Sequence, residues 1–175
     1  NTALGFQAMF NSSEADHNTC VGASAGYNIS TGQYNTIVGS AAGDAITVAN
    51  ENVAMGYGAL TSTTTGGTNT AIGRGAMRDN STGSSNTAVG SFALDKNTTA
   101  TRNTAVGSNA ATKLTTGGQN VAIGFQSMYH GTTAIDNVAV GDHALANITD
   151  SQDNVAVGRE AGLNVTSGDN NLLLG

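Results

Sequence analysis

Proline and tryptophan are both missing from this 175-residue chain, and cysteine occurs once, as Cys20. Without proline there is no Pro-rich linker, and a lone cysteine excludes an internal disulfide. Charged residues make up only 10% of the chain, too few for the polar faces of a helical protein. Six basic residues stand against twelve acidic ones, a net charge of −6 with no basic patch, which argues against a nucleic-acid partner. No apolar run approaches the roughly 18–20 residues of a membrane span. No signal-peptide pattern opens the sequence, which starts inside a repeat and so reads as a segment of something longer.

What is present is a repeat. The pattern Asn-(Thr/Val/Leu)-apolar-apolar-Gly starts at Asn1, Asn18, Asn35, Asn52, Asn69, Asn86, Asn103, Asn120, Asn137, Asn154 and, as a partial copy, Asn171, always 17 residues apart. Residues 1–175 are therefore expected to form a single repeat array with no insertion. Positions within a copy are numbered here as slots 1 to 17. Slot 1 is always Asn and slot 5 always Gly; slot 4 is always aliphatic or Met. Slot 3 is nearly always Ala, slot 8 is Ala except for Ser127, and slot 13 is always Ser or Thr. Apolar residues placed this regularly, at 38% of the chain, argue against disorder.

A 17-residue period is too short for paired-helix repeats, and glycine every few residues would weaken a helix by about 1 kcal/mol each. The expectation is all-β: a parallel β-solenoid of ten 17-residue coils. Slots 1–4 should form one strand and slots 7–10 a second, with slot 5 as a bend and slots 11–17 as the return turn. Coils stacked about 4.8 Å apart give a rod roughly 50 Å long. The slot 1 asparagines should form a ladder of side-chain amides, and the slot 13 hydroxyls a second one.

Strand residues alternate between faces, so slots 2 and 4 oppose slot 3. Neither face carries a charge in any copy, as in a strand buried on both sides. One face should fill the coil's own core and the other should pack on neighbouring chains. The small Ala column suits close approach around an axis, so the expected state is a homo-oligomer, a trimer first. A monomer with a wider coil is the alternative.

Asn103-Thr-Ala-Val-Gly-Ser-Asn-Ala110 and Asn120-Val-Ala-Ile-Gly-Phe-Gln-Ser127 resemble the repeats of trimeric autotransporter adhesin heads. The 17-residue period, with turns such as Asn97-Thr-Thr-Ala100 and Leu114-Thr-Thr-Gly117, resembles repeats of bacteriophage and bacterial tail-fibre-type proteins even more. The coil is longer in its turn than that of the adhesin heads. The resemblance spans the whole chain and implies a trimeric extracellular fibre, on a cell surface or a virion.

Sites for chemistry are sparse. His17, His130 and His143 occupy three different slots, and Cys20 sits in the Ala column, so no catalytic or metal cluster is expected. Asp150 and Asp153, with Asp136 one coil away, can approach a calcium ion, but the Gly-Gly-x-Gly-x-Asp calcium signature is missing. Glycosylation sequons fall at Asn11, Asn28, Asn80, Asn97, Asn147 and Asn164, where Asx-type turn chemistry is the simpler account. Phe6, Tyr57 and Phe125 share slot 6, while Tyr27 and Tyr129 share slot 10 with Phe10; these aromatics are the candidate surface contacts.

The resulting expectation is a non-enzymatic structural rod and adhesive segment of a surface fibre. It needs no cofactor, and host-surface glycans or proteins are its candidate partners. An ice-binding solenoid is the alternative, weakened because the slot 2 and slot 14 threonines form no two-column Thr-x-Thr surface. A self-assembling filament is a third reading, since no capping segment is visible.

Overall fold

The computed structural model describes all 175 residues and contains no helix; every strand is three residues long. Strands β1 to β6 are Thr2–Leu4, Thr19–Val21, Thr36–Val38, Val53–Met55, Thr70–Ile72 and Thr87–Val89. Strands β7 to β11 are Thr104–Val106, Val121–Ile123, Val138–Val140, Val155–Val157 and Leu172–Leu174. They form one parallel sheet in chain order, each pairing with the next in a register shifted by 17 residues, as in Thr87↔Thr104 and Ala88↔Ala105. This is a β-solenoid, one coil per repeat.

The expected second strand at slots 7–10 is absent. Slots 6–11 are a run of tight turns in which slots 7 and 9 have positive φ in every coil, for example Phe92 (57°) and Leu94 (51°). Positive φ at alternate residues turns successive peptide groups in opposite directions. Phe92 N–H thus donates back to Arg74 C=O (2.9 Å), whereas Leu94 N–H donates forward to Ala110 C=O (3.0 Å). The backbone is answered by the coils on both sides although it is not a strand. Slot 17 also has positive φ throughout, bringing the non-glycine residues in this region to 25. Each costs on the order of 1 kcal/mol in isolation, so intercoil bonding must over-determine them.

Slot 5 is glycine for two reasons. Its φ lies between 131° and 140°, where side chains are disfavoured, and the next coil crosses directly above it. A Cβ on Gly73 would stand 2.5 Å from the Gly90 carbonyl oxygen.

The core is a narrow column inside the coils, lined by slots 1, 3, 8, 9, 12 and 15. From Cys20 to Ala156 the slot 3 column is buried within the chain itself, so the expectation that it faces a partner's backbone is corrected: slots 2 and 4 face outward. Core volume is conserved across slots rather than within them. Where slot 9 is Gly43, slots 3 and 12 are Ile37 and Ile46, whose Cδ1 atoms both come within 2.9 Å of where a Cβ on that glycine would sit. Where slot 3 shrinks to Ala54, Ala71 or Ala88, slot 9 grows to Leu60, Met77 or Leu94. Close packing tolerates such exchange when the summed volume holds.

The asparagine ladder runs unbroken from Asn1 to Asn171. Asn86 is typical: its Nδ2 donates to Asn69 Oδ1 (3.2 Å) and across the coil to Ala100 C=O (2.8 Å). Its Oδ1 accepts from the N–H (3.0 Å) and Nδ2 (3.2 Å) of Asn103. Each amide joins three chain segments, so it both closes its own coil and fastens the next. The slot 13 hydroxyls form a second ladder, donating to the following coil's backbone carbonyl, as Thr98 Oγ1 does to Thr115 (3.1 Å).

Asn86→Ala leaves several buried groups without partners at about 1–3 kcal/mol each. Urea denaturation should show a loss of about 3 kcal/mol or more. Thr98→Ala, in the half-exposed hydroxyl ladder, should cost about 1 kcal/mol or less.

Candidate functional site

The three histidines stay apart. His17 stacks on Tyr34 (4.9 Å between centroids), His143 contacts Asp142 and the edge of Phe125, and His130 sits beside Lys113 Nζ (3.1 Å). Burial and the Lys113 charge hold the His130 pKa below its usual value. Cys20 is fully buried, and burial pushes its thiol up to about 11, which makes it a packing residue rather than a nucleophile. No three His, Cys, Asp or Glu side chains converge on one point. Asp136 instead accepts from Gln119, and Asp150 from the Thr149 hydroxyl.

The sequons divide by slot. Asn80 and Asn97, in slot 12, are fully buried and form a short polar ladder with Thr63: Asn97 Nδ2 donates to Asn80 Oδ1 (3.1 Å), and Asn80 Nδ2 to Thr63 Oγ1 (3.1 Å). No glycan can reach them. Asn11 is exposed and donates to Asn28 Oδ1, while Asn28 and Asn147 donate to backbone carbonyls of the next coil.

Of the candidate contact aromatics, Phe6 and Tyr57 are the most open, at 75% and 63% exposure, with Phe125 at 45%. Tyr27 is half-buried and stacks on Phe10 (5.5 Å), and Tyr129 is capped by Lys113 (5.2 Å from its centroid). Only Tyr57 belongs to a larger arrangement. It lines the one cleft on the surface together with Gly58, Arg74, Gly75, Arg78 and Phe92. Both arginines lie over the Phe92 ring, at 5.2 Å for Arg74 and 5.8 Å for Arg78.

An ion-pair network flanks this cleft. Arg78 bonds Asp79 (3.3 Å) and Asp95 (3.1 Å), and Lys96 bonds Asp79 (2.7 Å) and approaches Asp95 (3.6 Å). Burial opposes ionisation of Asp79, but Lys96 and Arg78 outweigh it and hold its carboxyl below the usual range. At Asp95, which is buried with Oδ1 unpartnered, desolvation wins and the carboxyl titrates higher than usual despite the same two cations. The bond to Asp79 raises the Lys96 pKa. This cluster is not legible as such in the sequence: Arg74, Arg78, Lys96 and Phe92 occupy slots 6, 10, 11 and 7, and only coil stacking brings them together. The legible signal was slot 7, which is glycine only at Gly58 and Gly75.

Comparison of the chain with protein-family models, with curated proteins and with solved structures finds no match in any of the three. The fold and its columns define the class, a β-solenoid repeat protein.

Asp44, in slot 10, also has a buried unpartnered oxygen, and burial raises its pKa. A folded-state pKa above the unfolded value means that ionisation weakens the fold as pH rises through the folded pKa. Asp44→Asn should therefore raise the thermal midpoint at pH 7, and the gain should vanish at pH 3, where both states are protonated.

Proposed function

We propose that this chain is a structural rod and adhesive segment of an extracellular or virion surface fibre, and that it works as a homotrimer. The observation that carries the reading is the outward face of the sheet. Slot 4 places an aliphatic or Met side chain there in every coil, with Leu4, Met55, Ile72, Ile123 and Val157 all substantially exposed. A continuous apolar strip along a whole rod favours coverage by another chain over contact with water. A sheet strip about 50 Å by 10 Å offers ~500 Å², against about 800 Å² per partner in a standard interface. The interface therefore also recruits flanking residues away from the middle of the rod, such as Phe6 in coil 1 and Phe125 in coil 8, and leaves slot 6 of coils 4 and 5 open. The resemblance of the repeat to adhesin heads and tail-fibre proteins points the same way, and the rod's lateral faces are the surfaces that would meet a host.

A second reading draws on the same face. Slot 2 places Thr2, Thr19, Thr36, Thr70, Thr87 and Thr104 outward beside the slot 4 column, a regular surface that can order water in an ice-binding solenoid. Val at slot 2 in coils 4, 8, 9 and 10 interrupts it.

Native mass spectrometry should give three times the 17.4 kDa chain mass. Ile72→Lys combined with Ile123→Lys, two outward changes, should release monomers that keep the β spectrum. A monomeric parent chain with appreciable thermal hysteresis would overturn the fibre reading in favour of ice binding.

A further inference from the structure

We propose that the cleft between Tyr57, Arg74 and Phe92 binds a carboxylate-bearing sugar residue. This deepens the adhesive part of the proposed function and is independent of the trimer, whose mass can be right or wrong without affecting it.

The cleft is a local break in an otherwise uniform surface. Slot 7 carries a side chain in every coil except at Gly58 and Gly75, which are consecutive. Their missing side chains form its floor, and Phe92, the slot 7 residue of the next coil, lies across it. A Cβ on Gly75 would stand 2.8 Å from Phe92 Cδ1 and Cε1, so glycine is what allows the ring to lie flat there. The result is a shallow, open cleft enclosing only about 50 Å³. Pockets that hold drug-sized ligands span roughly 300–1,000 Å³, so a ligand lies across this cleft rather than inside it, and one saccharide ring resting on the Tyr57 face suits it better than a peptide segment.

Charge selects the ligand's sign. Coils 5 and 6 (residues 69–102) hold four basic and two acidic residues, a net +2, whereas the remaining chain holds two basic and ten acidic ones, a net −8. A positive belt on an acidic rod draws an anion to this place. Within the belt the two arginines differ. Arg78 is committed to Asp79 and Asp95, but Arg74 forms no ion pair and its side chain makes no hydrogen bond. Its guanidinium is steadied over Phe92 and exposed, leaving a planar fork of donors free to take a carboxylate in a bidentate way. Tyr57 supplies the remaining wall: an open aromatic face for the C–H side of a sugar ring and a hydroxyl for its polar edge.

The test is a titration of the assembled protein, followed by calorimetry and by saturation-transfer NMR. The probes are the disaccharide of glucuronic acid and N-acetylglucosamine, its neutral glucose counterpart, and a tri-aspartate peptide. Saturable binding of the acidic disaccharide is expected, at least tenfold tighter than that of the neutral one or the peptide. Arg74→Gln should weaken it at least tenfold and Tyr57→Ala several-fold. Arg159→Gln, which alters the slot 6 arginine paired with Glu160 in coil 10, should leave it unchanged. Arg74 and Tyr57 are both exposed, so the variants should keep the parent β spectrum. Equal affinity for the neutral sugar, tighter binding of the peptide, no saturation by ~10 mM sugar, or an Arg74→Gln protein that binds like the parent would each overturn the proposal.

Discussion

Each coil of this rod has its partners one repeat away, above and below, and almost nothing else to hold it. A three-residue strand is too short to persist alone, and no helix or second sheet packs against it. Stability therefore depends on the same chemistry recurring at the same place every 17 residues. The slot 1 asparagine meets that requirement most fully. One amide oxygen serves two donors of the next coil, and one amide nitrogen serves the coil before and the far side of its own coil. Valine or threonine could pack there, but neither could join three segments. This is why slot 1 does not vary, whereas slot 10 holds residues as different as Phe10, Asp44, Thr112 and Ala146: no one side-chain chemistry there is required by both neighbouring coils.

The unusual backbone follows from the same constraint. Hydrogen bonding along the rod requires peptide groups that point up and down the axis, and outside the three-residue strand each coil supplies them through its turns. Alternating positive and ordinary φ provides vertical peptide groups in a compact, curling path. Residues as different as Gln126, His143 and Glu160 accept a left-handed backbone at slot 7 because stacking imposes it, not because their own preferences favour it.

This explains what the sequence made legible. Identity at slots 1 and 5 revealed the repeat, the coil and the asparagine ladder, because those positions are constrained by symmetry. The turn run at slots 6–11 was not legible, since apolar residues at slots 8 and 9 look the same in a strand and in a chain of turns. The direction of slot 3 was also lost: alanine fits a tight axis between chains as well as a thin core, and only the partnership of Ile37, Gly43 and Ile46 tells the two apart. The cleft was invisible for a different reason. Tyr57 and Arg74 are consecutive in slot 6 but unlike in chemistry, and Phe92 stands in slot 7 one coil further on, so a column read for its shared residue type does not collect them.

The buried polar run Thr63–Asn80–Asn97 has a consequence of another kind. In a chain of interchangeable rungs, a segment that skips or doubles one repeat would still match ladder to ladder and glycine to glycine. Slot 12 is where it would fail, because these three side chains satisfy one another and their neighbours in the column include Ile46 and Leu114. A slip by one rung would bury an amide against a hydrocarbon wall with its partner displaced. Three polar residues in an apolar shaft thus act as a key cut into a periodic molecule, distinguishing the middle of the rod from every other place along it.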